Sequence, residues 1–136
     1  MTDTPDGKYG ALIQTAIQAM EHAYIPYSHY PVGAALQATD GTVFTGCNIE
    51  NAAYPATICA ERTALVKAVS EGYRAFDVIA VVTRDGGSPC GVCRQMMYEF
   101  APDMIVVMAD SNGKIHHIEP LSNLLPHGFG PSHLIS

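Results

Sequence analysis

The chain has 136 residues, carries 13 acidic against 7 basic side chains for a net charge of −6, and is 48% hydrophobic and 15% charged. That is enough for one domain with a real core, and no apolar run approaches the roughly 18 residues needed to span a bilayer. The acidic balance disfavours a polynucleotide partner, which needs a concentrated basic patch, and favours a small neutral substrate.

The opening Met1-Thr2-Asp3-Thr4-Pro5-Asp6-Gly7 is polar and acidic, without the basic and apolar regions of a secretory signal. A cytoplasmic location is the expectation, and in that compartment the four cysteines are read as thiols or metal ligands rather than disulfides. Over residues 6–20, Leu12, Ile13, Ala16, Ile17 and Met20 recur at helical spacing and predict an amphipathic helix with one buried stripe. Residues 24–31 hold two prolines and three tyrosines and read as a loop, the kind of segment that often carries binding residues. Residues 32–39 and 42–48 read as two strands joined by the Asp40-Gly41 turn.

After a short loop through Tyr54 and Pro55, a second helix is predicted over 59–71, with Ala64, Leu65, Ala68 and Val69 on one face and Gly72 as its stop. Residues 76–83 contain the continuous apolar run Val78-Ile79-Ala80-Val81-Val82, typical of a strand covered on both faces. A glycine-rich loop over 84–88 leads to a third helix over 90–100, stopped near Pro102, and to a buried strand over 104–109. Asn112-Gly113 turns into a fifth strand ending near Ile118, and a short helix over 121–125 precedes Pro126 and a polar tail. Strands alternating with helices after an initial hairpin predict an α/β fold in a single domain over 1–136, a sandwich of helices on both faces of a mixed sheet of about five strands.

Cys59-Ala60-Glu61 and Pro89-Cys90-Gly91-Val92-Cys93 supply three thiolates and a carboxylate that is not needed as a ligand. A structural zinc closes its tetrahedron with four protein ligands, whereas a catalytic zinc takes three and leaves a position for water. Cys59, Cys90 and Cys93 are therefore read as ligands of one zinc ion per subunit, and Glu61 as the group that moves protons. This spacing is that of the zinc-dependent nucleobase deaminases, in which activated water attacks C4 of a pyrimidine. Both cysteine segments open predicted helices, whose positive ends favour thiolate over thiol. Three thiolates overcompensate Zn²⁺ and blunt its Lewis acidity, so Arg62 and Arg94, next to the ligand segments, are expected to hydrogen-bond sulfur, Arg62 ahead of Arg94. For Arg94 an ion pair on the surface or between helices is the alternative.

Four segments in order, Tyr27-Ser28-His29-Tyr30-Pro31-Val32-Gly33-Ala34-Ala35-Leu36, Gly46-Cys47-Asn48-Ile49-Glu50-Asn51-Ala52, Cys59-Ala60-Glu61-Arg62-Thr63-Ala64 and Pro89-Cys90-Gly91-Val92-Cys93-Arg94-Gln95, closely resemble the small homotetrameric cytidine deaminases, over residues 24–129. The resemblance implies deamination of cytidine and 2′-deoxycytidine to the uridines and ammonia in pyrimidine salvage, on a cytidine deaminase-like three-layer α/β/α sandwich. It implies that Asn48 and Glu50 hold the ribose, that the backbone amide of Ala60 binds the pyrimidine O2, and that the carbonyl of Pro89 or its neighbour accepts from the 4-amino group. The aromatic residue that packs on the pyrimidine is usually phenylalanine in the family and is Tyr30 here, so its hydroxyl needs a partner. Tyr27, Tyr54 and Phe129 match positions that complete the sites of neighbouring subunits in a homotetramer.

Two other readings stay open at this point. A deaminase of a modified cytosine nucleoside or nucleoside antibiotic is favoured if Tyr30 reshapes the pocket. An interaction module closed by a four-cysteine structural zinc would recruit Cys47, which is otherwise read as a small buried residue. His116-His117 points to opposite faces of a strand and is not read as a metal site, nor are His22, His29, His127 and His133.

Overall fold

The computed structural model describes residues 5–135, with side chains from residue 7 onward. Met1 to Thr4, the start of the polar opening, and Ser136 lie outside the described residues. The first helix, α1, runs Pro5–Met20. The hairpin follows as β1, Gly33–Ala38, and β2, Val43–Cys47, each strand shorter than predicted at both ends. Its turn is held by the Thr42 N–H donating to Asp40 Oδ1 at 2.9 Å, with Gly41 at φ +93°, a conformation that favours glycine. Then come α2, Ala60–Ser70; β3, Phe76–Thr83; α3, Gly91–Phe100; β4, Ile105–Asp110; β5, Ile115–Pro120; and α4, Leu121–Leu124.

The predicted starts of α2 and α3 move by one residue: Cys59 and Cys90 are the caps before the helices rather than their first residues. The strands form a single mixed sheet in the order β2-β1-β3-β4-β5, parallel only between β3 and β4. A continuous apolar run such as β3 makes sense because both faces of the sheet are covered. On one face α1 lays Leu12, Ile13, Ala16 and Met20 against Ala35, Val78, Ala80, Val82, Val107 and Ala109. On the other, α2, α3 and α4 bury Ala64, Leu65, Ala68, Met97 and Leu121 against Ala34, Leu36, Ile79, Val81, Val106 and Met108. This is the predicted α/β/α sandwich.

Two glycines let helices lie close on the sheet. A Cβ on Gly33 would stand 2.0 Å from the Ala16 carbonyl oxygen, and one on Gly46 would stand 2.4 Å from that of Ala60. The second contact seats the first turn of α2 directly on β2. The segment after Pro126, read from the sequence as a polar tail, folds back on α3. Gly128 and Gly130 pack on the Tyr98 ring, and a short 3₁₀ turn spans Pro131–His133.

Candidate active site

The site forms where the C-terminal ends of β2 and β3 meet the N-terminal ends of α2 and α3. Cys59 and Cys90 occupy the two cap positions, and neither side chain caps its own helix. Their sulfurs are left to face one another beside the unpaired first amides of both helices, a positive environment that favours thiolate. Cys59 Sγ lies 3.7 Å from Cys90 Sγ, which lies 3.5 Å from Cys93 Sγ, so all four cysteines of the chain remain free rather than bridged. A tetrahedral zinc with Zn–S bonds of about 2.3 Å needs its sulfurs about 3.8 Å apart. The trio meets that spacing, and among the described residues it is the group that could hold a metal ion.

The electrostatics agree with the spacing. The hydrogen bond from the Cys93 thiol, assisted by the Arg62 guanidinium and Cys90, brings Cys59 down to about 5 against the opposing effect of burial. Cys93 is pushed up by donating that bond and by its own burial. An anionic sulfur with a neighbouring thiol aimed at it is a donor set that a thiophilic dication satisfies better than a proton. Glu61, one residue past Ala60 in the first turn of α2, is only 4% exposed. Burial pushes its carboxyl up to about 7, with the Cys59 charge adding to the rise. A carboxyl of that kind can both take and give a proton near neutrality.

Cys59, Glu61 and Cys90 open into one cavity of about 210 Å³, walled also by Tyr30, Val32, Asn48, Thr57, Val81, Thr83, Gly87 and Ser88. It is smaller than pockets for drug-sized ligands and suits one planar heterocycle. Thr57 also borders a second hollow, of about 410 Å³, lined by Tyr27, Ser28, Glu50, Asn51 and Tyr54.

A family model for the cytidine and deoxycytidylate deaminase zinc-binding region matches residues 7–109. The chain belongs to this deaminase family. A cytidine deaminase of Halalkalibacterium halodurans is 54% identical over 121 residues, covering 87% of this chain and 91% of its own. One from Sporosarcina psychrophila is 50% identical over 126 residues, covering 90% and 92%. The crystal structure of cytidine deaminase from Burkholderia pseudomallei superposes with a TM-score of 0.85 at 47% identity, covering 89% of this chain and 98% of that one. A zinc-binding deaminase family and a three-sulfur group of zinc geometry point to the same cofactor.

The other residues singled out in the sequence fall around this deaminase site in different ways. Arg62 donates from Nη2 to Cys59 Sγ at 3.7 Å and to the Thr57 carbonyl at 3.2 Å, while its Nε is buried without a partner. Arg94 does not bond sulfur: its three guanidinium nitrogens donate to the carbonyls of Pro89 at 2.7 Å and Leu124 at 2.8 Å and to Ser88 Oγ at 2.7 Å. The reason is local, since Cys93 points into the metal group and the next residue along α3 must leave from another side of the helix. Arg94 thus fixes the loop just ahead of Cys90, Pro89 included.

Asn48 lines the cavity, its Oδ1 accepting from Val32 N at 2.9 Å and its Nδ2 donating to the Tyr30 carbonyl at 2.9 Å. Glu50 Oε1 accepts from the amides of Tyr27 at 3.0 Å and Ser28 at 3.2 Å, and Oε2 accepts from the Ser28 hydroxyl. Three of the roughly four acceptor positions of a carboxylate are filled, leaving one for a ligand. Tyr27 and Tyr54 meet edge to face at 6.2 Å on the rim of the wider hollow. Phe129 stands apart from both cavities, stacked on His133 at 5.0 Å with its carbonyl held by Gln95 Nε2 at 2.8 Å.

Cys47 belongs to another surface, beside Ala19, His22, Thr63 and Lys67, and its sulfur is not part of the metal group. That removes the four-cysteine reading. Thr83, Thr57 and Ser28 are wall or support residues that no sequence pattern singles out individually. Of these, only Ser28 sits inside a matched segment.

Proposed function

We infer that this chain is a zinc-dependent hydrolase that deaminates cytidine and 2′-deoxycytidine to the corresponding uridines and ammonia, in pyrimidine salvage in the cytoplasm. The observation that carries the reading is the buried Glu61 carboxyl opening into the same base-sized cavity as the Cys59 and Cys90 sulfurs. When bound by Cys59, Cys90 and Cys93, zinc supplies the Lewis acidity that lets water act as a nucleophile near neutral pH.

Glu61 performs the proton work. Its carboxylate removes a proton from the attacking water as the oxygen adds at C4 and delivers that proton to N3. It then takes the proton of the new C4 hydroxyl and hands it to the amine, so that the C4–N bond breaks, ammonia leaves and the C4 carbonyl forms. The first amide of α2, on Ala60, faces the pyrimidine O2, and the Pro89 carbonyl, steadied by Arg94, accepts from the 4-amino group. The Tyr30 ring walls the base. Asn48 and the remaining acceptor position of Glu50 take the sugar hydroxyls, a donor and an acceptor suited to a diol.

The residues form one catalytic domain, and we place the active form as a homotetramer. Support comes from the aromatic residues Tyr27, Tyr54 and Phe129, which are 49%, 73% and 54% exposed in the lone chain. Among the described residues no helix is long and apolar enough to cross a membrane.

The loss of cytidine absorbance, followed beside Glu61→Gln with zinc measured in both proteins, tests the reading. We expect rapid conversion by the wild type and a loss of about 10²–10⁴-fold in the variant at equal zinc. Equal rates in the two proteins would remove Glu61 from the reaction. Inertness of the wild type toward both nucleosides would remove the substrate assignment and bring modified cytosine nucleosides forward.

A further inference from the structure

We propose that Asp85 is a positioning residue of this active site, acting through Tyr30 to lock the aromatic wall of the base pocket to the loop that carries Pro89 and Cys90. The Tyr30 hydroxyl donates to Asp85 Oδ1 at 2.7 Å, within the short range of charge-assisted O–H···O⁻ bonds. The same oxygen accepts from Thr83 Oγ1 at 3.3 Å, and Thr83 Oγ1 in turn accepts from the Gly87 amide at 2.7 Å. Thr83 and Gly87 are themselves walls of the cavity, with Tyr30.

The arrangement follows from strand register. β1 and β3 pair antiparallel with Gly33 opposite Val82 and Ala34 opposite Val81. Continuing that register past the end of both strands sets Tyr30 opposite Asp85, so the pair extends the ladder by a side-chain bond where the backbone bonds have stopped. Arg84 adds a second tie, its guanidinium lying over the Tyr30 ring at 5.1 Å while Nη2 donates to the His29 carbonyl at 2.9 Å. Gly87 adjoins the junction, where a Cβ would make ordinary contacts with Thr83 Oγ1 at 3.7 Å and the Tyr30 hydroxyl at 3.8 Å.

The consequence is chemical as well as mechanical. A tyrosine in a base pocket brings a hydroxyl that could compete for the polar edge of the substrate or draw water into the cavity. Asp85 holds that hydroxyl at the pocket's outer edge, so the base meets ring carbon. The two protein groups also perturb each other in the sense expected for a bonded pair. Burial raises the Tyr30 phenol, and the Tyr30 hydroxyl lowers the Asp85 carboxyl.

This inference rests on the deaminase reading of the cavity, so its test carries a readout that does not. We would measure KM and kcat for cytidine, bound zinc and Tm for a double-mutant cycle of Asp85→Ala and Tyr30→Phe, with Asp85→Asn as the conservative variant. Asp85→Ala is expected to raise KM about five- to tenfold with kcat and zinc within about twofold, in the range of coupled contacting residues. Asp85→Asn keeps an acceptor oxygen and should restore KM to within about twofold of wild type.

The double variant should be no worse than the more affected single variant in KM, and the Tm changes should be non-additive. Additive changes in both quantities, or a fall in kcat and zinc with KM unchanged, overturn the proposal. A wild type inert toward cytidine overturns the substrate role of the pair together with the deaminase reading. Non-additive Tm changes would then leave only a structural tie. An active wild type with additive changes overturns the clamp alone.

Discussion

Arg62 and Arg94 hold equivalent places in the sequence, each beside a zinc-binding segment, yet the fold gives them different work. Arg62 reaches Cys59 Sγ and so draws charge from the sulfur set. Arg62→Ala is expected to lower zinc affinity or turnover about 10–100-fold, as outer-sphere partners of metal ligands do, measured by competition with a chromophoric chelator. Arg94 spends its donors on Pro89, Leu124 and Ser88. Arg94→Ala should retain zinc and lose about 2–3 kcal/mol of stability in urea unfolding, the scale of charged hydrogen bonds with their partners left behind. Cys47→Ser should leave zinc stoichiometry unchanged, because that sulfur lies outside the metal group. The ligand trio and its carboxylate were legible from residue type and spacing alone. The partner of the Tyr30 hydroxyl was not, because Asp85 lies far along the chain and meets it only through the pairing of β1 with β3.

At the scale of elements, the site depends on where α2 sits on the sheet. A Cβ on Gly46 would approach the Ala60 carbonyl oxygen to 2.4 Å and the Ala64 amide nitrogen to 2.6 Å. Both are backbone atoms that cannot swing aside. Gly46→Ala must therefore push the first turn of α2 off β2, moving Cys59 and Glu61 with it. We expect a loss of about 3 kcal/mol from overpacking together with reduced zinc content, read by thermal unfolding and metal analysis of the same sample. The helices and strands themselves were visible as periodicity and apolar runs. What the sequence missed was the return of the last residues onto Tyr98, because glycines packing on a ring leave no periodic signal.

Across the whole molecule, carboxylates set the acid limit of stability. Asp40, Glu50, Asp85 and Asp110 are all held below their ordinary values, by the Thr42 amide, the Ser28 hydroxyl, the Tyr30 hydroxyl and His116 respectively. A carboxyl depressed in the folded state stabilises above its unfolded pKa and loses that contribution as pH falls through the folded value. These four carboxyls should therefore contribute constant stability above about pH 5 and lose it below about pH 4, where unfolded carboxyls take up protons first. Glu61, raised to about 7, acts in the opposite sense and adds stability as pH falls from about 7 towards 4.5; calorimetry from about pH 8 to 3 checks both directions. Removing zinc with a chelator should lower Tm by several degrees, and restoring the metal should reverse the change, because a ligand bound only by the folded state adds to its stability.

Residue type, short-range spacing and apolar period were enough to determine an α/β sandwich, a three-sulfur zinc group and a carboxylate beside it. Those features are local: a cysteine pair three residues apart on one helical turn, or an unbroken apolar strand, has much the same meaning in most folds. The distances within the sulfur group, the depth at which Glu61 is buried, the diversion of Arg94 from sulfur and the bond between Tyr30 and Asp85 were decided only by the tertiary structure. Each depends on strand register or on the seating of one helix against the sheet, and these are settled by packing between residues far apart in the chain.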